Sequence, residues 1–200
     1  ITSSGLAGIQ MQGAIITGGL SNSGTVLGAI FGTQVQGGQL DNLVNSGLIY
    51  ANTMAGLSIS NTSMSGAVVN ATGGRIVGGP SAVSLWAAHI NGGITNAGLI
   101  TAAGSAFYDQ NASRISGGIN NLGGTISGGQ WGMNLLGTSI VGALNNTGLI
   151  QGVSLGGINI VAGANLQDGL TNSGRIVGGV KVDHASVSGF FINTGTVVDR

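Results

Sequence analysis

Leu170-Thr171-Asn172-Ser173-Gly174-Arg175-Ile176-Val177-Gly178-Gly179 carries the pattern that governs the whole chain. An apolar residue is followed two positions later by Asn, then by Gly, then by Ile or Val. The same motif recurs as Leu20-Ser21-Asn22-Ser23-Gly24-Thr25-Val26 and Leu43-Val44-Asn45-Ser46-Gly47-Leu48-Ile49. It returns in Ile94–Ile100, Leu144–Ile150 and Phe191–Val197, and with extra residues between Asn70 and Ile76 and between Asn121 and Ile126. The eight motif asparagines are Asn22, Asn45, Asn70, Asn96, Asn121, Asn146, Asn172 and Asn193, with spacings of 23, 25, 26, 25, 25, 26 and 21. A period in this range marks a stacked repeat; it is too short for a propeller blade and lacks the helical half of a leucine-rich repeat.

A second landmark lies within each period: an apolar residue and, two positions on, a glycine pair or a variant of it. Ile16-Thr17-Gly18-Gly19, Ile90-Asn91-Gly92-Gly93 and Ile115-Ser116-Gly117-Gly118 are examples. A third apolar position precedes this landmark by five residues at Met11, Ile59, Leu85, Leu135 and Val182, and Ile30 is read into the same column. Each coil therefore reads as three short strands joined by corners of Gly, Asn, Ser and Asp, residues that accept turn and left-handed dihedrals. The expectation is an all-β fold: one continuous parallel β-solenoid domain over residues 1–200, with about eight three-sided coils. At a strand spacing of roughly 4.8 Å, eight coils extend about 38 Å.

Stacking makes the columns explicit. Leu20, Leu43, Val68, Ile94, Ile119, Leu144, Leu170 and Phe191 should form one buried column. Val26, Ile49, Ile76, Ile100, Ile126, Ile150, Ile176 and Val197 should form a second. The eight motif asparagines should form a corner ladder, with amides hydrogen-bonding from coil to coil as in other stacked β structures.

Composition narrows the function. The 200 residues include 41 Gly, one Pro and no Cys; only 5% are charged and 4% aromatic, and the net charge is zero. A soluble globular domain carries roughly 25% charged residues. Without a basic stripe there is nothing to neutralise phosphates, so nucleic acid is not an expected partner. Charge-driven attachment to anionic lipid fails for the same reason. Gly, Ser, Asn and Thr interrupt the uncharged run from Asn42 to Gly74 every few residues, so no membrane insertion of this segment is expected. The first residues have neither a basic start nor a continuous apolar run, and the chain reads as a processed or excised piece, either a segment or a repeating subunit of a longer rod or fibre.

These motifs resemble the passenger repeats of bacterial autotransporters and related surface β-helix proteins, above all in Leu170 to Gly179. The resemblance implies a right-handed parallel β-helix at the bacterial cell surface, acting in adhesion, aggregation or biofilm. An export signal and a C-terminal outer-membrane barrel, which that family also carries, are not part of this segment.

No catalytic constellation is expected, and no cofactor or metal. β-Helix enzymes that act on polysaccharides need paired carboxylates. Asp41, Asp109, Asp168, Asp183 and Asp199 fall at five different points of the repeat and are read as solvated surface residues. His89 and His184 stand almost four coils apart, which is unsuited to a shared metal. Phe31, Trp86, Phe107, Tyr108 and Trp131 are read as a possible exposed aromatic strip, able to contact sugar rings or another rod. The alternative places these rings in irregular corners.

Two functional readings lead at this point, with a β-helix carbohydrate-active enzyme a third that the scattered carboxylates disfavour. One is an extracellular structural or adhesive rod whose partner is itself or the adjoining coils, end to end. The other is a glycan-binding β-helix module. An ice-binding face would need Thr-x-Thr in every coil, and only Thr194-Gly195-Thr196 has that form. The ends bear on the first reading. Ile1 to Gln12 carries no charge and no capping pattern, whereas Lys181, Asp183, Asp199 and Arg200 offer a weak polar cap at the other end.

Overall fold

A computed structural model describes residues 1–3 and 5–199. Among them there is no helix; the chain winds as a parallel β-solenoid whose strands form four parallel sheets. One sheet has nine strands and three have eight, so the rod comprises about eight coils. A representative coil consists of Leu144–Asn146, Leu149–Gly152, Gly156–Val161 and Asn165–Leu166. The sequence pattern suggests three strands per coil. The fourth arises because the repeat motif is not one strand: the chain bends at Asn-x-Gly and places the two apolar positions of the motif on different sheets.

The glycine of the motif makes that bend possible, though not through a left-handed dihedral. A Cβ on Gly148 would lie 2.1 Å from the carbonyl oxygen of Gly124 in the coil below, and one on Gly98 would lie 2.2 Å from that of Gly74. No side chain fits at such a distance, so Gly is required by the approach of successive backbones. Left-handed conformations occur elsewhere. At the corner after each six-residue strand, Gly37, Asn61, Ala87 and Gly137 all have positive φ.

Register is continuous from coil to coil. Leu43, Val68, Ile94, Ile119, Leu144 and Leu170 pair in sequence, as do Ile49, Ile76, Ile100, Ile126, Ile150 and Ile176. All of these side chains are buried. Alternation on the pleat sends the intervening residues outward, as at Thr101 and Gln151.

The third column departs from the sequence reading in two coils. Met11 pairs with Val35, and Val35 with Ile59, so Val35 holds the position assigned to Ile30. Leu85 pairs with Asp109, and Asp109 with Leu135. A carboxylate thus occupies a core position. The five-residue spacing misses it because Asn111 and Ala112 both have positive φ and add one residue to that corner. Ala162 and Gly163 make the same insertion two coils later, after Ile160.

This geometry predicts a sharp contrast between neighbouring positions. Ile150→Asp should lower unfolding stability by about 4 kcal/mol or more, because the charge would be buried between Ile126 and Ile176 without a partner. Thr101→Asp, on an outward position, should cost about 0.5 kcal/mol or less. Denaturant titration of both variants measures the difference, and similar losses at the two sites would contradict the register.

Candidate functional site

The most developed polar construction in the rod is a line of amides. Asn22 donates through Nδ2 to Oδ1 of Asn45 at 2.8 Å, and Asn45 does the same to Asn70 at 2.9 Å. The series continues through Asn96, Asn121, Asn146, Asn172 and Asn193 at 2.7–2.8 Å. From Asn22 to Asn172, each Nδ2 also reaches a glycine carbonyl of its own motif and the first carbonyl of the strand that follows the motif in the next coil; for Asn96 these are Gly98 at 3.3 Å and Thr125 at 3.2 Å. The amide therefore supports the bend in its own coil and ties it to the next one.

The line has a direction. Within the series each asparagine donates to the next one toward the C-terminal coil. Among the described residues, Asn193 at one end donates only to its own Gly195 carbonyl, at 3.4 Å, and Asn22 Oδ1 at the other accepts only from its own Gly24 N–H, at 3.2 Å. The rod thus presents an amide donor at its last coil and an amide acceptor at its first.

The terminal coils also expose the core. Phe191 is 52% exposed and Val182 49%, whereas their neighbours in the columns, Leu170 and Ile160, are each at 1%. Phe190 is 82% exposed. At the first coil, Met11, Ile16 and Leu20 are only partly buried. The charged groups near the last coil form a small cluster, with Lys181 3.6 Å from Asp183 and His184 Nδ1 2.6 Å from the same carboxylate. They do not cover Phe191. Arg200, expected to contribute to this cap, lies outside the described residues.

Corrections to the sequence reading concern Phe107 and Asp109. Phe107 is not part of an exposed strip; it is fully buried, in register with Val83 and Met133. Adjacent strand residues point to opposite faces, so only Tyr108 of the pair can face outward. Trp86 is exposed, while Phe31, Tyr108 and Trp131 are half-buried. Asp109, two residues after Phe107, is inward for the same reason and completely buried rather than solvated. Burial pushes its carboxyl up to about 6. Ser113, Thr138 and the Gln110 backbone lie near enough to temper that rise. Neither carboxylate oxygen has a well-formed hydrogen bond, however.

Asp41 accepts from Gly18 N–H at 2.8 Å and from the Ser65 hydroxyl at 2.7 Å, and these bonds hold its carboxyl below the usual range. Among the described residues no group of three or more His, Cys, Asp or Glu side chains could hold a metal ion. No family model matches this chain, and neither a curated protein nor a solved structure gives a significant match.

Two predictions follow from these interactions. Asn146→Ala removes one rung and leaves the Asn121 amide and the Asn172 carbonyl oxygen without their partner; a loss of about 1–3 kcal/mol is expected in denaturant unfolding. Unchanged stability would assign Asn to the bend alone. For Asp109, the folded-state pKa is raised above the unfolded value, so its protonated form favours folding. Stability should fall as pH rises from about 4 to about 6, by on the order of 3 kcal/mol, and then level off. Asp41 shifts in the opposite direction and titrates below this window. Asp109→Leu should flatten the profile and raise the unfolding midpoint at neutral pH; a profile that keeps its slope would place the titration elsewhere.

Proposed function

We propose that this chain is a non-enzymatic segment of an extracellular rod of the autotransporter-passenger type, displayed on a bacterial surface in a structural or adhesive role. Its coils continue end to end, into adjoining coils of the same polypeptide or into a second copy. The observation that carries this reading is the complementarity of the two ends. The last coil offers the Asn193 amide donor and the exposed Phe191, and the first offers the Asn22 acceptor and the half-open column at Met11, Ile16 and Leu20.

Contact between unlike ends is heterologous and does not close, so it builds linear assemblies. The open strand edges favour the same outcome, since each terminal strand carries backbone groups ready to pair with a parallel neighbour. A surface of neutral Ser, Thr, Asn and Gly puts little charge repulsion in the way. Dispersed carboxylates, with Asp109 shut inside the core, support a binding or structural role over catalysis.

Light scattering and negative-stain microscopy of the 200-residue chain at rising concentration test the proposal. Rods that lengthen in steps of one unit at constant width are expected, with Phe191→Asp weakening association about tenfold or more. A monodisperse single rod at all concentrations would overturn self-association through these ends.

A further inference from the structure

The outward face of the six-residue strands contains a feature that end-to-end stacking does not use. One column on this face runs through Gln34, Ser58, Ser84, Tyr108, Asn134 and Asn159. Outward residues of a convex rod should be exposed, yet Gln34 and Ser58 are 9% exposed and Asn159 only 7%. The middle of the column, at Tyr108 and Asn134, lies beside a concavity. Corner segments that precede the strands form its wall, and around the middle coils they enclose a trough of about 730 Å³ lined by Pro80, Ser81, Ser105, Tyr108, Gln130 and Asn134.

The trough floor has unused hydrogen-bonding capacity. Asn159 donates to Asn134 Oδ1 at 2.8 Å, which fixes the Asn134 amide and leaves its Nδ2 without a protein acceptor among the described residues. Asn159 Oδ1 and Gln34 Oε1, in the same column but outside the trough lining, are buried with no partner among the described residues. Within the lining itself the free Asn134 N–H favours an occupant that can accept a hydrogen bond. Tyr108 adds a ring held in place by its hydroxyl, which donates to Gln110 Oε1 at 2.5 Å.

The lining selects the chemistry of the occupant. It contains no charged side chain, so it offers no counter-charge to a phosphate, sulfate or carboxylate. A wholly apolar ligand would leave the amides unpaired. A neutral molecule with several hydroxyls and one apolar face satisfies both conditions, with the ring face on Tyr108 and the hydroxyls toward Asn134, Gln130, Ser81 and Ser105. We propose that this trough is a binding site for a neutral saccharide. Its position on the side of the rod leaves it open in a stacked assembly, and it stands or falls independently of the end contacts.

Titration calorimetry of the whole chain with neutral oligosaccharides of glucose, mannose, galactose and N-acetylglucosamine provides the test, with a sulfated oligosaccharide for comparison. At least one neutral series should bind with a Kd of about 1 mM or tighter. Tyr108→Ala and Gln130→Ala should each weaken that binding about tenfold, whereas Phe190→Ser, at an exposed aromatic far from the trough, should not change it. Gln130 is exposed, so its variant should keep the wild-type unfolding curve and report on binding alone. Absence of binding by every neutral series, binding of the sulfated compound only, or neutral binding that survives both substitutions would overturn the assignment.

Discussion

In-register stacking of one coil on the next is the constraint from which everything else in this rod follows. Parallel pairing at each of four sheets requires that every coil repeat the path of its neighbour, and the most demanding part of that path is the bend at Asn-x-Gly. There the backbone of one coil approaches that of the coil below so closely that Gly148 could not carry a side chain. The neighbouring Asn146 amide bonds to Asn172 above and to the Gly148 carbonyl. The glycine permits the approach and the asparagine satisfies the polar groups that the approach buries. The two jobs are complementary, which explains why Asn and Gly recur together with the two apolar positions in every copy of the motif.

Aligned amides have a further effect. Because each Asn both accepts and donates, each bond polarises the next, and the series gains strength from its length. The series also has unlike ends, which gives the rod a polarity that the parallel strands already share. Head-to-tail continuation preserves register at every sheet and column. Head-to-head contact would oppose two donors and interrupt all four sheets.

Much of this was legible in the sequence because the relevant signals are periodic. The Asn spacings, the two apolar columns of the motif and the glycine corners all recur in each coil, and periodicity of this kind survives small variations. What was not legible depends on single insertions. The third column follows a five-residue offset until the corner at Asn111–Ala112 takes one residue more, and the offset then points at Gln110 instead of Asp109. Charge suggested a surface location for Asp109, and the register overrode it. Phe107 is a separate case: taken with Tyr108 as one exposed strip, it is parted from its neighbour by the pleat, which turns Phe107 inward. The trough was invisible because concavity is a property of how the sheets meet, and no residue pattern announces it.

The survival of Asp109 in the core also indicates how such a rod distributes its stability. In a solenoid each coil interacts with its two neighbours only, so the cost of a buried carboxyl is confined to the layers of Leu85 and Leu135. Those layers are held by the complete amide ladder and by apolar columns on the other faces, and they absorb the defect. A terminal coil has one neighbour instead of two, so its apolar positions, such as the half-exposed Val182, pack against a single layer. Stability in this architecture is therefore least where the core columns are already open, and a further coil at either end would stabilise the outermost layer in the same way that each interior coil stabilises the next.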